Sequence, residues 1–191
     1  TLDYIVEELG ESLAYQWFCG VKKCGMCGIL VNGHPKLGCW EHVESKMILQ
    51  PLPHFKVIRD LVIDREDYTK NLMSIEPELC RKNEYLSFPE PLKNFQMNDS
   101  TKMMHCIECM ICISVCPAFS KKFVGPAPLV QLARYALDPR DSGSRSKLAI
   151  KAGIDNCVGC FQCSKVCPAD IPIYEKGIEG LRKNILSEGL N

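Results

Sequence analysis

Thirteen cysteines in 191 residues are the side chains best able to do chemistry here, and spacing sorts twelve of them into three groups of four. Cys106, Cys109, Cys112 and Cys116 form a C-x2-C-x2-C-x3-C run closed by Pro117. Cys157, Cys160, Cys163 and Cys167 repeat it with every cysteine offset by 51 residues, closed by Pro168. In such a run the first three thiolates curl round one cubane, while the fourth lies too far along the emerging segment and reaches the other cluster. The spacing therefore predicts crossed ligand sets. Cys106, Cys109, Cys112 and Cys167 would hold one 4Fe-4S centre, and Cys157, Cys160, Cys163 and Cys116 the other. The two prolines, with fixed φ and no N–H, turn the chain away from the crossing ligands. Cys19, Cys24, Cys27 and the distant Cys39 have the C-x4-C-x2-C spacing of a plant-type 2Fe-2S centre. Gly20, Gly25 and Gly28 lie inside that loop, where absent side chains would let backbone N–H groups approach the sulfurs and raise the potential.

Three such centres in one small chain would pass single electrons between remote partners. The competing readings are two zinc knuckles and a zinc ribbon, which together would make a zinc-stabilised interaction module. Zinc sites commonly take two separated Cys pairs rather than two runs of four closed by Cys-Pro. An odd cysteine count with tight C-x2-C spacings also argues for metal ligation in a reducing compartment over a disulfide scaffold. Cys80 is the spare, expected to be a free thiol. His34, His42, His54 and His105 are scattered, as are imidazoles that ligate nothing. Lys22 and Lys23 read as a solvated pair beside the first site, and Met103 and Met104 as core. No G-x-G-x-x-G follows a strand, no phosphate-binding loop appears, and no catalytic triad or carboxylate pair is suggested, so substrate chemistry must lie elsewhere. Lys+Arg equals Asp+Glu at 23 each, which gives no electrostatic case for nucleic acid. The longest apolar run, residues 107 to 119, is broken by Glu108 and Pro117 and is too short to span a bilayer.

The elements that must position these thiols read as follows. Ile29 to Val31 is a strand and Asn32-Gly33 a hairpin turn, marking a small β-rich unit. Phe55 to Leu72 reads as a helix or strand-to-helix passage, and Glu90 to Ser100 as a Pro/Asn-rich loop. Leu129, Leu132, Ala133, Ala136 and Leu137 form a helical stripe entered by Pro126 and Pro128 and stopped by Asp138-Pro139. Pro172 leads into a second one-sided helix through Ile178, Leu181 and Ile185. Each cysteine run thus feeds a helix. The units 1–69 and 70–191 meet near residue 69.

With these motifs in order, the chain resembles the iron-sulfur subunit of the succinate dehydrogenase and fumarate reductase family. Asn32-Gly33 and Leu37-Gly38-Cys39 match the hairpin closing the 2Fe-2S site. VIRDLVIDREDYTKNLMSIEP is similar to the segment joining the domains, and GPAPLVQLARYALDPRDSG to the helix between the cluster motifs. The resemblance implies an α+β chain: a β-grasp 2Fe-2S domain, then an α-helical ferredoxin domain with two 4Fe-4S centres. It also implies a FAD-bearing flavoprotein partner and a membrane-anchor, quinone or thiol-linked partner. The subunit would be cytoplasmic and peripheral to the inner membrane, with no span of its own. Thr1 to Glu8 would be the helix start of the first domain, with its opening hairpin missing. Two departures stand out. Family members commonly have C-x5-C-x3-C-P in the second motif and a 3Fe-4S centre, whereas Cys160 here supplies a further ligand and predicts 4Fe-4S. Members that reduce quinone carry Trp just after the first Cys-Pro, whereas this chain reads Ala118-Phe119-Ser120-Lys121-Lys122, which argues against a standard quinone pocket. The doubled motif is also similar to that of heterodisulfide reductase small subunits, so another flavin- or heterodisulfide-linked oxidoreductase is the alternative assignment.

Overall fold

A computed structural model describes residues 2–81, 92 and 94–190 of the chain. It opens with helix α1 (Leu2–Glu7), followed by the loop of the first cysteine group. Strands β1 (Gly28–Val31), β2 (His34–Leu37) and β3 (Leu49–Gln50) form an antiparallel sheet in the order β2-β1-β3. The β1–β2 turn is made by Asn32 at φ 51° and Gly33 at φ 79°, the double left-handed geometry that twists with its strands. Asn32 also pins β3, its N–H donating to Ile48 O and its Oδ1 accepting from Ile48 N–H, both at 2.9 Å. Pro35 sits opposite Leu30 on edge strand β2, where a missing N–H can be borne. Both faces of β1 are covered. Ile29 and Val31 pack with Leu61, Leu2 and Tyr15, while Leu30 packs against the main core.

A second hairpin, β4 (Val57–Arg59) with β5 (Val62–Ile63), leads into helix α2 (Glu66–Ser74), so the strand-to-helix passage is seen. Residue 69 lies inside α2. The main core is shared across that point: Cys27, Leu37, Leu52 and Ile63 belong to one buried cluster with Met110, Ile111 and Ile113. The expected 90–100 loop is corrected. From Asn94 the chain is helical, α3 (Asn94–Met104), and residues 90, 91 and 93 lie outside the described residues. The polar composition read as a loop because propensity is weak, but packing overrides it: Met103 is fully buried and Ser100 Oγ donates to Arg134 O at 2.8 Å.

Helix α4 (Ile111–Ser114) follows the first cysteine run, and α5 (Pro126–Ala136) is the hub. Pro126 and Pro128 occupy its first turn, where no intrahelical N–H bond is lost. Its first eight residues are buried all round, more than the one-sided stripe expected. Then come α6 (Arg145–Lys151), α7 (Gln162–Lys165), a π-helical turn over Ile173–Ile178 and α8 (Glu179–Ser187). Pro172 precedes the π turn and its carbonyl accepts from Lys176 N–H at 3.0 Å. Among the described residues no helix is long and apolar enough to cross a membrane.

Candidate metal centres

The sequence repeat is a repeat of backbone. Glu108 (φ 52°) and Met110 (φ 66°) are left-handed, as are Gly159 (φ 67°) and Phe161 (φ 60°) at the same places in the second run. Helices α4 and α7 begin and end at equivalent residues. Each run therefore bends twice and enters a one-turn helix, which wraps its first three thiols round a common point. The fourth thiol lies beyond that helix.

Two cavities collect the thiols across the repeat. One is lined by Cys106, Cys109, Cys112 and Cys167, closed by Ile171 and Ile173. The other is lined by Cys116, Cys157, Cys160 and Cys163, closed by Phe161 and Tyr174. Cys116 and Cys167 each line the cavity of the opposite run. Among the described residues no group of three or more His, Cys, Asp or Glu side chains stands close enough to hold a single metal ion. As free thiols the buried ones are poor ligands: desolvation, first, and neighbouring sulfurs push Cys106 and Cys163 up to about 12 and Cys109 to about 11. The positive charge of bound iron is what makes such buried thiolates tolerable. Nearby backbone N–H groups oppose that rise, those of Glu108 at Cys106, Ile111 at Cys109, and Ala118 and Phe119 at Cys116. An all-thiol donor set in an apolar hollow with N–H donors suits an iron-sulfur cluster.

In the first group Cys27 is buried and Cys19, Cys24 and Cys39 are half-buried. Cys19 Sγ accepts from the N–H groups of Val21, Lys23 and Cys24 at 3.3 to 3.4 Å. Those of Val21 and Lys23 lead the causes that lower this thiol to about 7, against desolvation. Cys24 lies beside Cys19, and Cys39 beside Cys27, where burial pushes the Cys27 thiol up to about 11. Cys27 and Cys39 share a wide cavity with Trp17 and Gly20.

Two glycines of this loop permit a close approach of backbones, while the N–H groups on Cys19 Sγ belong to Val21, Lys23 and Cys24. Gly25 has φ 69°, and a Cβ on it would lie 2.0 Å from Ile107 O; one on Gly28 would lie 2.7 Å from Cys109 O. The loop is pressed against the backbone of the first 4Fe-4S motif. Arg65, which sequence reasoning passed over, stands at that seam. Its only signal in the sequence is a cation two residues past a buried strand, which is too common to single out.

The remaining residues fall as follows. Cys80 lines none of the three cavities; its N–H donates to Asp141 Oδ1 at 2.9 Å and Arg145 Nη2 lies 3.6 Å from its sulfur. All four histidines are exposed. His54 rests on the Phe119 ring at 5.7 Å between centroids. Lys22 extends over Trp40. Met103 is core and Met104 half-buried.

Residues 1–70 match the family model of a 2Fe-2S iron-sulfur cluster binding domain, and residues 102–171 that of a 4Fe-4S dicluster domain. One 2Fe-2S and two 4Fe-4S clusters are therefore the chain's cofactors. The fumarate reductase iron-sulfur subunit of Mycobacterium tuberculosis is 33% identical over 186 residues, covering 89% of this chain and 73% of that one. The chain belongs to the succinate dehydrogenase/fumarate reductase iron-sulfur subunit family. An uncharacterised iron-sulfur protein of Methanocaldococcus jannaschii is 40% identical over 98% of the chain. One subunit of the fumarate reductase (CoM/CoB) of Methanothermobacter marburgensis is 30% identical over the same share. The chain spans 38% of the length of each of these two relatives. In fold, a chain of the Mycobacterium smegmatis Sdh1 complex superposes with a TM-score of 0.88 at 24% identity, over 98% of this chain and 83% of that one. The order of a 2Fe-2S β-grasp domain before a helical dicluster domain is thus the family's.

Proposed function

We propose that the chain is the electron relay of a succinate dehydrogenase/fumarate reductase-type complex, passing single electrons between a FAD-bearing flavoprotein and a second partner. The observation that carries this reading is the crossing of Cys116 and Cys167 into opposite cavities, which makes two separate four-thiol sites from two runs. On this reading Cys19, Cys24, Cys27 and Cys39 hold the 2Fe-2S cluster. Cys106, Cys109, Cys112 and Cys167 hold the nearer 4Fe-4S cluster, and Cys116, Cys157, Cys160 and Cys163 the farther. When bound, the clusters supply one-electron chemistry with little rearrangement. The protein's part is to hold the thiolates, burying Cys109 and Cys112 of the nearer site and Cys163 of the farther while leaving Cys160 exposed. The 2Fe-2S and dicluster units meet near residue 69, and the chain sits at the cytoplasmic face of the inner membrane through its partners.

A thiol-linked second partner is favoured over a quinone by two features. Ala118-Phe119 stands after the first Cys-Pro with no Trp, and the CoM/CoB-named relative aligns with 98% of the chain. The test is isolation of the native assembly and optical titration. Fumarate should reoxidise the reduced clusters, or succinate bleach the oxidised ones. An assembly in which neither substrate changes the cluster absorbance overturns the assignment and leaves another flavin- or heterodisulfide-linked reaction.

A further inference from the structure

Arg65, at the start of α2, bridges the two cluster loops. Nη2 donates to Gly25 O at 3.1 Å and Met26 O at 3.2 Å, on the 2Fe-2S side. Nη1 donates to Glu108 O at 3.5 Å, on the 4Fe-4S side, and lies 3.7 Å from Met26 Sδ. Nε is buried with no hydrogen-bond partner. No carboxylate among the described residues forms an ion pair with this guanidinium, whereas Lys36, Arg145 and Arg182 each have one. A desolvated cation with only carbonyl acceptors is costly unless anions stand near. The ionisable groups that bear on it are Cys109, a ligand of the nearer 4Fe-4S centre, then Tyr68, then Cys24 and Cys27 of the 2Fe-2S centre. Burial, the largest influence, pulls its pKa down, and these groups hold it up. The loops it joins touch directly, through Gly25 against Ile107 O and Gly28 against Cys109 O.

We propose that Arg65 is a positioning residue for electron transfer between the 2Fe-2S centre and the nearer 4Fe-4S centre: its fork clamps the two ligand loops in contact, and its unpaired charge raises the potentials of both flanking centres while leaving the third unaffected. This rests on the cluster assignment above. A fixed positive charge favours the reduced, more negative form of each cluster, so it raises both potentials together. Arg65 keeps its proton and its charge throughout, and the single electron lost by one centre is the one gained by the other. Sharing the charge between both centres keeps their potentials aligned, and clamping the loops keeps their separation short.

The test uses the full holoprotein, with Arg65→Gln to remove charge and Arg65→Lys to keep charge but lose the fork. Iron and sulfide contents are measured first, then the three midpoint potentials by redox titration followed by electron paramagnetic resonance. In Arg65→Gln the 2Fe-2S and nearer 4Fe-4S potentials should fall while the Cys116/Cys157/Cys160/Cys163 centre stays put. Arg65→Lys should keep both flanking potentials at their wild-type values yet weaken the spin coupling between the two flanking centres. Unchanged potentials in Arg65→Gln, or an equal shift of all three, overturn the proposal. Should Arg65→Gln fail to load iron, Arg65→Lys decides alone: unshifted potentials with weakened coupling support the proposal, and wild-type coupling or a fall in the flanking potentials overturns it. Absence of clusters from the wild type would instead defeat the assignment on which it rests.

Discussion

Gly25→Ala perturbs the seam between the two cluster loops at its tightest point. Its backbone is left-handed at φ 69°, a conformation that charges an alanine about 1–2 kcal/mol. The new methyl would also meet Ile107 O at 2.0 Å and Cys109 N at 3.0 Å, both backbone atoms that cannot swing aside. Forcing them apart costs about 1–3 kcal/mol more, as overpacking does in a close-packed interior. Gly33 provides the control, since it is left-handed too, at φ 79°, but has nothing within 4 Å of an added Cβ. At roughly 2–4 °C per kcal/mol for a chain of this size, Gly33→Ala should lower the unfolding midpoint by about 2–8 °C. Gly25→Ala should fall about 2–12 °C further. Calorimetry of the three holoproteins at one scan rate makes the comparison. Equal midpoints for the two variants would refute the claim that this glycine exists to let the loops touch.

Cys160→Ser should leave a three-iron signal in the oxidised protein's electron paramagnetic resonance while the 2Fe-2S signal persists; an unchanged spectrum means Cys160 ligates nothing. Cys80→Ser should retain all three centres, with loss of any one showing that the spare thiol was wrongly chosen. Asp141 and Arg145 form a buried pair at 2.8 Å. Burial raises the Asp141 carboxyl, but hydrogen bonds from Arg145 and the N–H groups of Cys80 and Gly143 outweigh it and hold it below the usual range. A lowered carboxyl contributes stability above its unfolded pKa and loses it as pH falls through the folded value. Asp141→Asn should therefore cost about 3–5 kcal/mol in urea unfolding at pH 7, with the gap to wild type narrowing below about pH 4. A gap independent of pH contradicts this.

The bends of the two runs were legible because spacing is local: four thiols within eleven residues can line one side of a cavity only by bending as these runs do, and the fourth thiol of each run reaches the opposite cavity for want of chain to turn back. Asn32-Gly33 and Pro126 were equally plain, since each fixes its own backbone angles. What escaped was long-range. Helix α3 exists because Ser100 bonds α5 and Met103 is fully buried, which no composition rule reveals. Gly25 and Gly28 were read as openings toward sulfur, whereas their tightest neighbours belong to a loop about eighty residues on. Arg65 acquires its meaning only when those two loops stand on either side of it.

Chemical quantitation of iron and acid-labile sulfide in the purified holoprotein tests the central claim most directly. Three cages built on these twelve thiols require about ten irons and about ten sulfides per chain. Zinc without sulfide, or a sulfide content fit for one cluster alone, would contradict the account.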